Sequence, residues 1–262
     1  MCTTMTTQHS GSGDLHLSLE LLWRRREQPR RGPKPGLTLD RVVAAAVAVA
    51  VAEGLAAVSM RRVAAELGVG TMSLYRYVPG KGELLDLMLD KVNEPEGDEG
   101  RLPVELGWRA ATEAFARGCV RLYLAHPWLL QVDQARPLLG PNALAGVEQA
   151  LKALDGIGLT DQERVMVMTA VDGFVTGTAR THVNAIQAEQ RTGVSDEDFW
   201  AAQAPVLDKA LSTGAYPTLA QLAADSFNVS HEEIFEFGLQ RLLDGLERFI
   251  ASRAERADDV TR

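Results

Sequence analysis

Apolar residues recur three and four positions apart along most of the chain, the spacing that gathers them on one face of an α-helix. From Thr38 onward this period predicts helices over about residues 39–53, 60–67, 72–78, 82–92, 104–125, 142–155, 161–190, 197–211 and 231–253. No stretch alternates apolar and polar residues between turn signals, as a half-buried strand does, so the expected fold class is all-α. Before Thr38 the pattern weakens. Residues 1–18 are polar, hold Gly and Ser, show no sustained period and read as disordered. "LSLELLWRRRE" puts Leu19, Leu22 and Trp23 on one side of a short helix, and "QPRRGPKPG", Gln28 to Gly36, breaks it with three prolines and two glycines. A second break falls at "NEPEGDEG", Asn93 to Gly100, which is acidic and rich in turn formers. Three segments follow: a flexible extension with a basic arm over 1–36, a small helical module over 37–92 and a larger one over 93–262.

The segment "SMRRVAAELGVGTMSLYRYVPGK", Ser59 to Lys81, has a finer pattern. Ser59 is placed to accept from the first amides of a helix in which Val63 and Leu67 face inward, and Gly68 suits the left-handed residue that ends it. A second short helix, with Thr71 as its expected cap, buries Leu74 and Val78 and stops at Pro79–Gly80. Two short helices around a tight glycine turn make a helix-turn-helix, whose second helix enters the major groove of DNA. Met72, Ser73, Arg76 and Tyr77 are left pointing outward. Ser73 suits a base edge or phosphate and Met72 a thymine methyl, while Thr71, Tyr75 and Tyr77 offer hydroxyls to phosphates. Arg61 and Lys81 flank the groove, and Arg30, Arg31 and Lys34 on the arm suit phosphates or a narrow minor groove.

Charge sharpens this picture. The net charge is −8, yet residues 20–81 carry eleven Lys/Arg against five Asp/Glu, and residues 82–262 carry sixteen against twenty-nine. A basic end on an acidic body fits a polyanion at one end only. Apolar residues make up 46 % of the 262, enough for a packed core, and the longest apolar run, Val42 to Ala52, is too short to span a bilayer. Two cysteines, Cys2 and Cys119, exclude a disulfide framework and suggest a reducing compartment. With no signal-peptide pattern in "MCTTMTTQHSGSGD", the expectation is a cytoplasmic protein without membrane contact. No H-E-x-x-H, C-x-x-C or G-x-S-x-G motif organises His126, His182, Asp172 and Cys119, so neither catalytic residues, metal ligands nor a cofactor are expected.

"EGLAAVSMRRVAAELGVGTMSLYRYVPGKGELLDLMLDKV" resembles the DNA-binding head of the TetR family of bacterial repressors, and the resemblance runs from about Leu39 to Val92. "HPWLLQVDQARPLLGPNALAGVEQALKALDGIGL" and "FEFGLQRLLDGLERFI" resemble, more loosely, the C-terminal domain of its tetracycline-repressor-like branch. The resemblance implies a three-helix head, a ligand-binding and dimerisation domain, a double-stranded operator, a small-molecule inducer and a homodimer. In that family the positions matching Arg61, Thr71, Met72, Ser73, Tyr75, Tyr77 and Lys81 commonly touch DNA. The Thr-Met-Ser reading set is this chain's own, so no relative's operator carries over.

The larger module holds two further patterns. Val165, Met168, Asp172 and Val175 with Gly173 and Gly177, and Phe235, Leu239, Leu242, Leu246 and Phe249, form stripes suited to a four-helix dimer interface or to an internal core. Trp108, Phe115, Cys119, Tyr123, His126, Trp128 and Gln131 form an aromatic-rich series, and Phe174, Thr178, His182 and Asn184 mix apolar with polar groups, with Phe199 and Trp200 as a cover. Such sets suit a pocket for a lipophilic ligand. The reading is a ligand-responsive DNA-binding regulator, with a helical small-molecule-binding protein lacking sequence-specific DNA binding as the alternative.

Overall fold

The structure, a computed structural model, describes residues 8–27, 36–95, 102–223 and 225–260, with side chains from 24–27 and 254–260 excepted. The fold is all-α, as expected. Its elements are β1 (Gln8–His9), α1 (Leu15–Glu27), α2 (Leu39–Glu53), α3 (Met60–Glu66), α4 (Thr71–Leu74), α5 (Lys81–Val92), α6 (Trp108–Ala125), β2 (Val132–Asp133), α7 (Pro141–Ala153), α8 (Asp161–Thr192), α9 (Asp196–Leu211), α10 (Pro217–Ala220) and α11 (His231–Val260). Short 3₁₀ turns at Leu55–Ala57, Val104–Leu106 and Pro127–Gln131 link some of them.

Local chemistry sets the ends of these helices. Thr38 accepts from the Arg41 amide at the start of α2, and Gly54, at φ +85°, ends it. The 32-residue α8 opens on a reciprocal capping box between Thr160 and Glu163 and closes on left-handed Gly193. No described helix is long and apolar enough to cross a membrane.

One core joins the small module to part of the large one. Val42, Val43, Ala46, Val49, Val63, Leu74, Val78, Leu84, Leu87 and Met88 pack with Leu22 of α1 and with Trp128, Leu129 and Val132 just beyond α6. A second core lies between α6, α8 and α11, built on Ala116, Val171, Val175, Phe235, Leu239 and Leu243. Phe174 stacks on Phe235 there, ring centroids 5.8 Å apart, and Gly238 lets the two helices close: a Cβ on it comes within 2.6 Å of the Phe174 ring. Leu154, Leu159 and Val167 form a third, smaller cluster.

Two features depart from the sequence reading. Disorder was the expectation for residues 1–18, within a flexible 1–36, yet from Gln8 onward the segment packs on the protein. β1 pairs in parallel with β2, and Ser10 and Ser18 are buried against α5. Ser10, Gly11, Asp14 and Ser18 donate to carboxylates on α5, which a composition-based reading does not detect. At the other end, α9 forms where expected but none of its residues is buried, and Phe199, Trp200, Val206, Leu207, Tyr216 and Phe227 of the 194–230 stretch all lie open.

Candidate nucleic-acid interface and ligand cavity

The helix-turn-helix is built as its residues dictate. The Ser59 hydroxyl accepts from the Arg62 amide at 3.2 Å and caps α3. Gly68 takes φ +67°, and the Val69 amide returns to the Ala64 carbonyl, closing the turn. α4 then starts with Gly70 at the cap position, so Thr71 is its first helical residue and not its cap. The buried side of the pair is Met60, Val63, Ala64, Leu74 and Val78.

The opposite side is open. Met72 is 76 % and Tyr75 45 % exposed, Ser73 and Thr71 are half-buried beside them, and Arg61 is exposed on α3. Arg62, by contrast, is held by Glu53 at 2.6 Å and Glu66 at 2.8 Å. Lys81 sits half-buried at the start of α5, and burial lowers its pKa. Tyr77 stands apart from the other candidates: it packs against the core and its hydroxyl donates to the Leu37 carbonyl at 2.9 Å. That bond pins the start of α2 beside the end of the helix-turn-helix. Arg30, Arg31 and Lys34 lie outside the described residues.

Cavities of different size open in the body. The larger, about 350 Å³, opens between α6, α8 and α11 and is lined by Arg117, Val120, Arg121, Leu124, Thr178, Ala179, His182, His231, Phe235 and two glutamates. His182 and His231 stack across the helix pair, centroids 4.7 Å apart. Burial first, and the neighbouring His231 second, lower the pKa of His182. Arg117 is engaged by both oxygens of Glu236, each at 2.9 Å, and by Glu113. The smaller cavity, about 20 Å³, is apolar, with Phe115, Ala150 and Val171 among its walls.

Of the candidate pocket residues, Thr178 and His182 line the larger cavity and Phe115 the smaller. Trp108, Cys119, Tyr123 and Phe174 belong to the packing between α6, α8 and α11. Tyr123 also shares a 3.2 Å hydrogen bond with Thr176, and burial pushes the Cys119 thiol up to about 12. Trp128 is buried in the core shared with the head, away from both cavities. Gln131, Asn184 and Trp200 are exposed, Trp200 by 59 %. The stripes divide in the same way. Val175, Phe235 and Leu239 are internal core, whereas Val165, Gly173, Gly177 and Phe249 face outward with Met166, Ile234 and Phe237.

Three acids on α5 lay outside the sequence reading. Glu83, Asp86 and Asp90, at i, i+3 and i+7, are all buried. Glu83 accepts from the Asp14 amide at 2.7 Å. Asp86 accepts from Ser18 at 2.7 Å, the Gly11 amide at 2.8 Å and Ser10 at 3.3 Å. Burial raises the Asp86 pKa, while those three donors pull it back. Asp90 accepts from the Asn142 and Ala143 amides, at 3.0 and 3.1 Å, and so caps α7 from a different helix. The spacing was visible, but nothing local identifies the partners.

Comparison with known proteins agrees with this geometry. Residues 42–88 match the family model "Bacterial regulatory proteins, tetR family", and residues 102–250 match "Tetracyclin repressor-like, C-terminal domain". The chain is 56 % identical over 248 residues to the HTH-type transcriptional repressor DrrR1 of Streptomyces coeruleorubidus, covering 95 % of this chain and 91 % of that one. An HTH-type transcriptional regulator of Saccharopolyspora erythraea is 40 % identical over 158 residues, 60 % of this chain and 65 % of its own. Among solved structures, apo ActR from Streptomyces coelicolor superimposes with a TM-score of 0.65 at 32 % identity, over 86 % of this chain and 100 % of that one. ActR in complex with actinorhodin gives 0.63 at 32 % identity, over 80 % and 95 %.

Proposed function

Since the chain belongs to the TetR family of bacterial regulatory proteins and is a DNA-binding transcriptional repressor, we propose that it acts as a homodimer that leaves a palindromic operator when a small lipophilic molecule enters the body. The observation that carries the DNA-reading part is the open face of α4, where Met72 stands clear of the core with half-buried Ser73 beside it while Leu74 anchors the helix from behind. Met72 and Ser73 read base edges; Arg61, Thr71, Tyr75 and Lys81 hold the backbone, with Arg30, Arg31 and Lys34 adding contacts from the arm. Tyr77 acts indirectly, by fixing Leu37.

The outward faces of α8 and α11 support the dimer. Gly173 and Gly177 leave open space where a Cβ would stand, and Met166, Ile234 and Phe237 offer apolar surface beside them. Two heads about 34–36 Å apart then address half-sites in successive major grooves. The cavity between α6, α8 and α11 lies at the lower end of the usual range for ligand sites, roughly 300–1,000 Å³. ActR, crystallised with actinorhodin and with (S)-DNPA, supports an organic small molecule as the occupant. Such a ligand shifts the DNA-bound population only through different affinity for two settings of the heads.

Selection of random duplex DNA by the purified protein, followed by a salt titration on the selected sequence, tests this reading. A palindrome bound with a steep negative salt slope is expected. No enrichment at low salt from folded dimers would overturn it.

A further inference from the structure

We propose that residues Gln8–Trp23 form a strap that sets the angle of the DNA-binding head against the body, with Ser10 and Asp86 as its positioning residues. The strap touches both parts through a few well-defined contacts. On the body side the Ser10 amide donates to the Asp133 carbonyl at 3.1 Å, and the Ser10 hydroxyl accepts from the Leu138 amide at 3.2 Å. On the head side that same hydroxyl donates to Asp86 of α5. One serine thus links a body loop to the helix that carries the head.

The remaining contacts extend this link along α5. Gly11 and Ser18 complete the shell of the Asp86 carboxylate, and Glu83 receives the Asp14 amide. The strap backbone crosses the first turn of α5 so closely that a Cβ on Gly82 falls 2.5 Å from the Gly13 nitrogen. Leu22, 1 % exposed, then inserts into the core between the head residues and Trp128. Three buried carboxylates on one helix face are costly unless every lone pair is used. That two of them are served mainly by the strap points to a defined docking position and not to incidental packing.

The strap's body contact also lies directly after the ligand-side helix. β2 follows the 3₁₀ turn Pro127–Gln131, which follows α6, and α6 lines the larger cavity from Arg117 to Leu124. If the cavity serves as proposed above, displacement of the α6 end reaches β2, then Ser10, then Asp86 and α5. The positioning role itself does not depend on that cavity.

The test uses full-length protein, a chain lacking residues 2–13, and the S10A and D86N variants of each where the residue remains. Spin labels on R76C in the head and A145C in the body, in a C2S background and diluted with unlabelled chain, report the head-to-body distance. The strap predicts a distance distribution at least twice as broad in the truncated chain and intermediate in S10A, with helix content retained. D86N should broaden it in the full chain and change nothing further in the truncated one. On a selected operator the truncated chain should lose about tenfold in affinity, the cost of populating the competent setting one time in ten. An unchanged, narrow distribution in the truncated chain, or in S10A if truncation prevents folding, overturns the strap. The distance measurement needs no operator, so it separates failure of the strap from failure of the repressor reading.

Discussion

The Tyr77 hydroxyl reaches across 2.9 Å to the carbonyl of Leu37, forty residues earlier in the chain. This bond fixes where the chain enters α2, beside the end of the helix-turn-helix. A tyrosine in a position that reads as a phosphate contact here holds the backbone instead. Y77F keeps the ring packing and removes only the bond. It should cost about 0.5–1.5 kcal/mol in denaturant unfolding, the net worth of one such hydrogen bond. It should also weaken operator binding, read by titration on the selected operator.

Arg61 and Met72 should separate affinity from specificity. R61A removes an exposed charge placed for the DNA backbone, so it should weaken all sequences alike and reduce the salt slope by about one. M72A should leave the slope unchanged and alter the base preference at one position of each half-site. Binding titrations at several salt concentrations, with single-base variants of the selected operator, give both numbers.

Asp90 should prove more important to stability than an acid near a helix end ordinarily is. D90A leaves the Asn142 and Ala143 amides without their acceptor in a buried place. A loss of about 1–3 kcal/mol in urea unfolding is expected, with partial rescue by D90N, which keeps one acceptor oxygen.

The His182–His231 pair should make the body weaken in mild acid. The folded-state pKa of His182 lies below its unfolded value, because burial and His231 disfavour the cation. As pH falls through the unfolded histidine range, near 6.5, the unfolded chain takes up a proton that the folded chain resists, so stability drops. Of the charged groups around the pair, Arg117 holds Glu236 below the usual carboxylate range, and Glu232 and Arg121 stand at the cavity wall. The melting temperature of the wild type should therefore fall between pH 7.5 and 5.5 by more than that of H182F. Equal falls in both would remove the pair as the cause.

Much of this architecture could be read from short-range rules, because the forces involved act within a turn or two. Ser59 caps a helix three residues on, and Gly68 takes a left-handed φ that the turn itself demands. The helical period located α8 and α11 because each buries one clear stripe. What could not be read depends on distant partners. "KGELLDLMLDKV" reads only as a helix over about 82–92, yet every residue from Glu83 to Asp90 is buried. Its carboxylates are matched to donors 52 to 76 residues away in sequence. Aromatic richness on α6 suggested a pocket wall, but Trp108, Tyr123 and Trp128 serve packing, while the larger cavity is bounded by Arg117, Arg121 and the histidine pair. Composition could not distinguish these roles; only the facing helices do.

The Asp90 cap has a consequence for the joint between the two modules. Gly140 lies so near that carboxylate that a Cβ on it would stand 2.3 Å from an oxygen, and Asn142 grips it with both backbone and side chain. Head and body are thus docked through a socket that does not involve the peptide connecting them. A chain cleaved enzymatically within residues 96–101 should stay assembled through gel filtration and still bind DNA. Any side chain at position 140 would act as a wedge in that socket.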